Sequence, residues 1–162
     1  MERLEVGLPY RGLVQKCLKK VKYKSAWEIV SFLFCIWKEN CSDTVSRDTV
    51  ITSVPMWREK ERQRGFNQAE IIGKLLARNG RVSYLAMLER TRETRPMFGL
   101  KKKERRENVR GAFRVQNQCH SDKVSQIILV DDVWTTGATL RECARVLKEA
   151  GVREVWGLTL AG

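Results

Sequence analysis

A chain of 162 residues, 43% hydrophobic and 31% charged, is sized and composed for one folded domain with its own core. Its longest apolar run, Ile29 to Trp37, is too short to cross a bilayer, and Glu2, Arg3 and Glu5 interrupt any leader-like start, so the cytoplasm is expected and membrane insertion is not. A net charge of +12 selects for anionic partners, either polyphosphates or nucleic acid; five cysteines without a C-x-x-C pair, and a single histidine, His120, argue against zinc.

In chain order, residues 10–24 and 26–39 read as two helices, the first basic on one side and the second almost wholly apolar. Thr49 to Val54 is short and β-branched, a buried strand ended by Pro55. A polar loop over 56–66 leads to a helix over 68–78, opened by Asn67 with Glu70 at capping-box spacing and stopped at Asn79-Gly80. A strand is expected over 82–88. Residues 90–108 are charged and poorly periodic, contain Pro96 and Gly99, and suit a working loop with a helical turn or two near its end better than a connector. Strands at 112–115 and 126–131 precede a helix over 138–150, with Leu140, Cys143, Leu147 and Ala150 on one face. Gly151 stops that helix, and the strand Glu154 to Leu160 follows. Cys143, inside a helix stripe, reads as core rather than as a nucleophile.

This order predicts an α/β fold, a mostly parallel sheet with flanking helices. The two N-terminal helices fall outside the alternation and are expected to form a helical hood. The division is 1–45 for the hood and 46–162 for the ligand-binding core, all within one domain.

The chemistry concentrates in IILVDDVWTTGAT, residues 127–139. An apolar strand ends in Asp131 and Asp132; Thr135, Thr136, Gly137, Ala138 and Thr139 then turn the chain into a helix. Such a turn offers free backbone N–H groups, hydroxyls and the positive end of a helix dipole to a phosphate monoester. The two acids can accept hydrogen bonds from ribose hydroxyls or hold Mg²⁺ through water. Asp, Thr and Gly also recur in plain strand-to-helix turns, where they cap and relieve strain. The full string is more selective, and it resembles the phosphoribosyl-pyrophosphate (PRPP) signature of type I phosphoribosyltransferases.

A second constellation, SVPMWREKERQRGFNQ over 53–68, joins a strand end to a basic loop and a helix start, a plausible cradle for another anion. PRPP has two anionic ends, and the chain offers two such loops. Across most of its length the sequence resembles the competence-associated ComF family, through RQRGFNQAE (62–70), LERTRETRP with GLKKKERRENVRGAF (88–113), and ILVDDVWTTGATL (128–140). The resemblance implies a type I phosphoribosyltransferase-like fold and a site for PRPP with Mg²⁺. It implies that Asp131 and Asp132 serve the ribose hydroxyls and the metal, that Thr135 to Thr139 hold the 5-phosphate, and that Arg58, Lys60, Arg64 and Gly65 face pyrophosphate. Arg105 and Arg106, in a loop closing over the site, would stabilise the departing pyrophosphate. A folding or hinge role accounts equally for Arg105, Arg106 and Asn108, and helix capping accounts equally for Asn67.

The chain departs from the family in two places. The N-terminal four-cysteine zinc ribbon of many members is not in this sequence, and Met97 stands where glutamine is frequent. Two functions follow from the resemblance: transfer of phosphoribosyl from PRPP to a nitrogenous acceptor, with a link to DNA uptake, or a non-catalytic module that senses PRPP or binds single-stranded DNA. Lys101, Lys102 and Lys103 are the residues expected to meet nucleic acid, with Trp57 and Phe66 as candidate stacking groups more simply explained by packing. A homodimer is left open.

Overall fold

The computed structural model describes residues 1–12, 14–16, 49–97, 99–116, 124 and 126–162. The helices expected over 10–24 and 26–39 lie almost wholly outside the described residues, as do Cys17, Cys35, Cys41, Cys119 and His120. The elements are β1 (Arg3–Leu8), β2 (Thr49–Ser53), α1 (Arg58–Arg64), α2 (Gln68–Gly80), β3 (Ser83–Tyr84), β4 (Leu88–Arg90), α3 (Lys102–Val109), β5 (Phe113–Val115), β6 (Gln126–Val133), α4 (Ala138–Glu149) and β7 (Glu154–Ala161). Five strands form one parallel sheet in the order β1-β7-β6-β2-β3, and β4 with β5 makes a separate antiparallel ribbon.

Strand periodicity divides the core in two. On β6, Ile128 and Val130 face α2 and pack with Ile51, Ile72, Leu76, Leu158 and Leu160. Ile127 and Leu129 face the other way, against α4, and join Leu140, Cys143, Leu147, Val155, Met87 and Phe113. A sheet buried on both faces accounts for the unbroken apolar run IILV, because helices cover each side. No helix among the described residues is long and apolar enough to cross a membrane.

The structure changes three sequence expectations. Residues 3–8, counted within the helical hood, form an edge strand parallel to β7, with Leu4 opposite Gly157. Arg3 and Glu5 masked it, since an edge strand buries only part of its surface. Helix α1 occupies most of the expected loop 56–66; none of its residues is buried, so it carried no apolar stripe to read. The single strand expected over 82–88 is two short ones, because the chain leaves the main sheet after Tyr84 and joins the ribbon at Leu88. Leu85 N–H donates to the Ile51 carbonyl and Met87 N–H to Thr52 Oγ1, which holds the crossing segment against β2.

Candidate functional site

Strand β2 leads through α1 and α2 to β3 on one flank, whereas β6 leads through α4 to β7 on the other. Between them, β2 and β6 are neighbours, with Ser53 opposite Val130, and Val54 N–H donates to the Val130 carbonyl at 2.9 Å. The connections therefore diverge at the carboxyl ends of two adjacent parallel strands, and a crevice opens where the winding reverses. Open α/β sheets bind ligands there.

Both carboxylates stand on this edge, Asp131 opposite Thr159 of β7. Successive side chains of a strand point to opposite faces. Asp131 is directed to the α4 side, where the Arg90 charge reaches it, while the Arg64 charge acts on Asp132. The Asp132 N–H donates to Asp131 Oδ1 at 2.9 Å. Burial pushes the Asp131 carboxyl well above the ordinary carboxylate range, and the neighbouring Asp132 pushes it further, with Arg90 opposing. Burial also raises Asp132, against the pull of its hydrogen bond with Asp131 and of Arg64. On the same side, Cys143 is fully buried and its thiol is pushed well up by burial, so it stays protonated as a packing group.

The loop after β6 turns at Gly137, whose φ of 69° begins α4. Thr135 is exposed, Thr136 and Thr139 are half-buried, and Gly137 and Ala138 are buried. The small cavity they line with Asp131, Met97 and Trp134 holds only 20 Å³. Trp134 lies across Gly137: a Cβ there would sit 2.0 Å from the indole Cη2. Arg141 caps the arrangement, its guanidinium 5.3 Å from the indole ring centre and its Nη1 donating to the Thr136 carbonyl at 2.9 Å.

The second loop reaches the same edge through α1. Gly65, at φ 85°, closes that helix in the left-handed region, where a side chain would be strained. Arg64 Nη1 donates to Gln68 Oε1 at 2.7 Å, and Lys60 pairs with Glu93 at 3.6 Å, tying α1 to the segment beyond β4. Arg58 lines a 180 Å³ cavity with Ser53, Asn67, Tyr84 and Arg90. Asn67 is buried and bonded at both ends of its amide: Oδ1 accepts from Ala69 N–H at 3.1 Å, and Nδ2 donates to the Val54 carbonyl at 3.0 Å. It caps α2 and clamps the two ends of the loop. Asn67→Ala should therefore lower unfolding free energy by about 2 kcal/mol in urea denaturation, combining a lost cap with an orphaned carbonyl. A loss below about 0.5 kcal/mol would assign Asn67 to a ligand instead.

Among the described residues, 90–97 and 99–110 gather around Asn108. Its side chain accepts from Arg95 N–H at 3.0 Å and donates to the Arg95 carbonyl at 2.9 Å, while Arg92 Nη2 donates to the carbonyls of Asn108 and Arg110. Arg105 Nε donates to the Leu100 carbonyl at 2.8 Å. Arg106 lines a 520 Å³ cleft between α3 and α4 with Arg110, Arg141 and Arg145. Lys101, Lys102 and Lys103 are exposed at the start of α3.

Three residues at the edge escaped the sequence reading. Arg90 is half-buried, stacks on Phe113 at 5.4 Å, and has an Nε that is out of solvent without a hydrogen-bond partner. A lone arginine ending a three-residue strand has no pattern to flag it. Trp134 and Arg141 sat inside or beside the motif, yet only packing shows that they meet over Gly137.

A parallel sheet with an acid pair and a Thr-Gly turn at its switch point is the architecture of phosphoribosyl transferases. The family model described as the phosphoribosyl transferase domain matches residues 71–161, and the chain belongs to that family. The curated relatives it matches include competence proteins and a DNA utilization protein. Competence protein F of Haemophilus influenzae is 36% identical over 114 residues, covering 68% of this chain and 50% of that protein. Competence protein ComFC of Bacillus subtilis is 29% identical over 147 residues, covering 88% of this chain and 56% of that one. DNA utilization protein YhgH of Escherichia coli is 33% identical over 111 residues, covering 67% and 48%. The chain thus spans about half the length of the relatives it matches. Among solved structures, the allosteric regulatory enzyme of purine biosynthesis is 21% identical with a TM-score of 0.47, over 84% of this chain and 25% of that one.

Proposed function

We propose that this chain binds PRPP across the β2–β6 crevice and transfers its phosphoribosyl group to a nitrogenous acceptor, releasing pyrophosphate, in the handling of incoming DNA. One observation carries the reading: two anion-suited loops leave adjacent strand ends on either side of a carboxylate pair. The 5-phosphate takes the N–H groups and hydroxyls of Thr135 to Thr139. The ribose hydroxyls bond to Asp131 and Asp132. Pyrophosphate takes the segment after β2 with Arg58, Lys60 and Arg64 on α1 and Gly65 at its end, joined by Arg90, whose unpartnered Nε suits an anion.

Two adjacent carboxylates on a strand end are hard oxygen donors that suit Mg²⁺, a cation that keeps several of its waters. Asp131 and Asp132 would hold it, and it would supply positive charge beside the diphosphate. For the residues themselves, the work is positioning and electrostatics. The acceptor nitrogen bonds to the ribose anomeric carbon as its bond to pyrophosphate oxygen breaks, and the cationic loop stabilises the oxygen that leaves. Arg105 and Arg106 complete that stabilisation once α3 moves over the crevice, releasing Arg105 from Leu100.

A second reading has its own support. Lys101, Lys102 and Lys103 are exposed at the start of α3, the helix whose Arg106 and C-cap Arg110 line the cleft against α4, and the relatives' names refer to competence and DNA utilization. On this reading the fold binds single-stranded DNA without transfer. Pyrophosphate release from PRPP, measured across a panel of bases and single-stranded DNA, separates the two. Release with one acceptor supports the transferase. PRPP binding without release under any acceptor supports the binding module, and the absence of PRPP binding overturns the site.

A further inference from the structure

The turn over Thr135 to Thr139 is narrow in this structure, and the Trp134 indole lies against it. Its cavity of 20 Å³ is too small for a phosphate, being about the space of one water. The indole of Trp134 occupies the approach to Gly137: a Cβ on that glycine would lie 2.0, 2.4 and 2.7 Å from three of its ring carbons. Gly137 and Ala138, whose N–H groups a helix-start anion requires, are buried.

Trp134 does not hold this position alone. Its backbone N–H donates to the Ala161 carbonyl at 2.7 Å, which fixes the main chain and leaves the side-chain torsions as the free coordinate. Arg141, one turn into α4, places its guanidinium 5.3 Å from the ring centre and bonds to the Thr136 carbonyl. Arg141 is exposed, and an exposed cation–aromatic contact is a weak one. A phosphate dianion offers the same guanidinium a charged, two-point partner. The side chain also lines the cleft shared with Arg106, Arg110 and Arg145, so it has room to turn.

We propose that Trp134 and Arg141 form a latch over the phosphate cradle, and that an entering phosphate monoester opens it by taking Arg141 from the indole and the Thr136 carbonyl. This rests on the cradle being the 5-phosphate site. The latch adds a phosphate-binding residue, Arg141, and a closed state whose population weakens apparent affinity, the observed Kd being the intrinsic Kd divided by the open fraction. Pyrophosphate, bound at the other loop, does not work against it.

The test is calorimetry of the full chain with ribose 5-phosphate and, separately, inorganic pyrophosphate. Trp134→Ala should bind ribose 5-phosphate about tenfold more tightly, and Arg141→Met about tenfold more weakly, both with wild-type pyrophosphate affinity. Unchanged or weakened ribose 5-phosphate binding in Trp134→Ala overturns the latch, while PRPP binding by the wild type leaves the site reading standing. Loss of all PRPP and ribose 5-phosphate binding in the wild type overturns the site and the latch together. A readout independent of the alanine variant's folding is indole fluorescence. Saturating ribose 5-phosphate should change wild-type emission and leave Trp134→Phe unchanged; equal responses in the two overturn the proposal.

Discussion

Changing Asp131 and Asp132 together to asparagine should abolish Mg²⁺-dependent PRPP binding, a loss of at least about 100-fold by calorimetry. Asparagine keeps the volume and a carbonyl acceptor at each position, so the crevice retains its shape. What it removes is the pair of negative charges at the end of β6, and with them the donors suited to Mg²⁺ and the strongest acceptors for two ribose hydroxyls. Inorganic pyrophosphate without metal should bind the variant as well as the wild type or better, because helix α1 and Gly65 are untouched and a repulsive pair is gone. PRPP affinity within threefold of wild type would remove the carboxylates from the site.

The single Asp131→Asn change should raise stability while it impairs binding. Burial and the Asp132 charge hold the folded-state carboxyl of Asp131 well above its ordinary value of 3.8. A raised acid favours folding fully below its unfolded value and loses that contribution as pH rises through the folded value. Near neutral pH the wild type therefore carries a buried like-charge penalty that asparagine does not. With a chelator present to exclude metal, Asp131→Asn should melt about 2–4 °C higher at pH 7, equivalent to about 1 kcal/mol for a domain of this size. The gain should shrink on acidification and vanish near pH 3. A stability difference constant from pH 3 to 8 would show that packing, and not charge, governs the position. Such a trade is expected where a site keeps charges that folding disfavours.

Much of the architecture could be read from local pattern. The apolar run Ile127 to Val130, the acid pair and the Thr-Gly turn are contiguous, and each property used (burial on both faces, a helix start, a positive φ at Gly137) is dictated within a few residues. Helix α4 likewise announced itself through Leu140, Cys143 and Leu147. Elements without a stripe stayed hidden. Helix α1 buries none of its side chains, and β1 owes its existence to pairing with β7, whose partners lie at the opposite end of the chain. Asn67 shows the intermediate case: capping was visible in its spacing to Glu70, whereas its bond to the Val54 carbonyl was not.

The sequence by itself determined the chemistry of the β6 edge: which residues carry charge, which can turn, and where a phosphate could meet backbone N–H groups. Only the tertiary structure decided that the basic segment after β2 stands beside that edge, that Arg90 arrives there with an unpartnered Nε, and that Trp134 and Arg141 meet over Gly137. The division has a physical cause. Helix starts and strand alternation are set by neighbours along the chain, whereas the order of parallel strands and the packing of one aromatic ring are set by contacts between residues far apart in sequence.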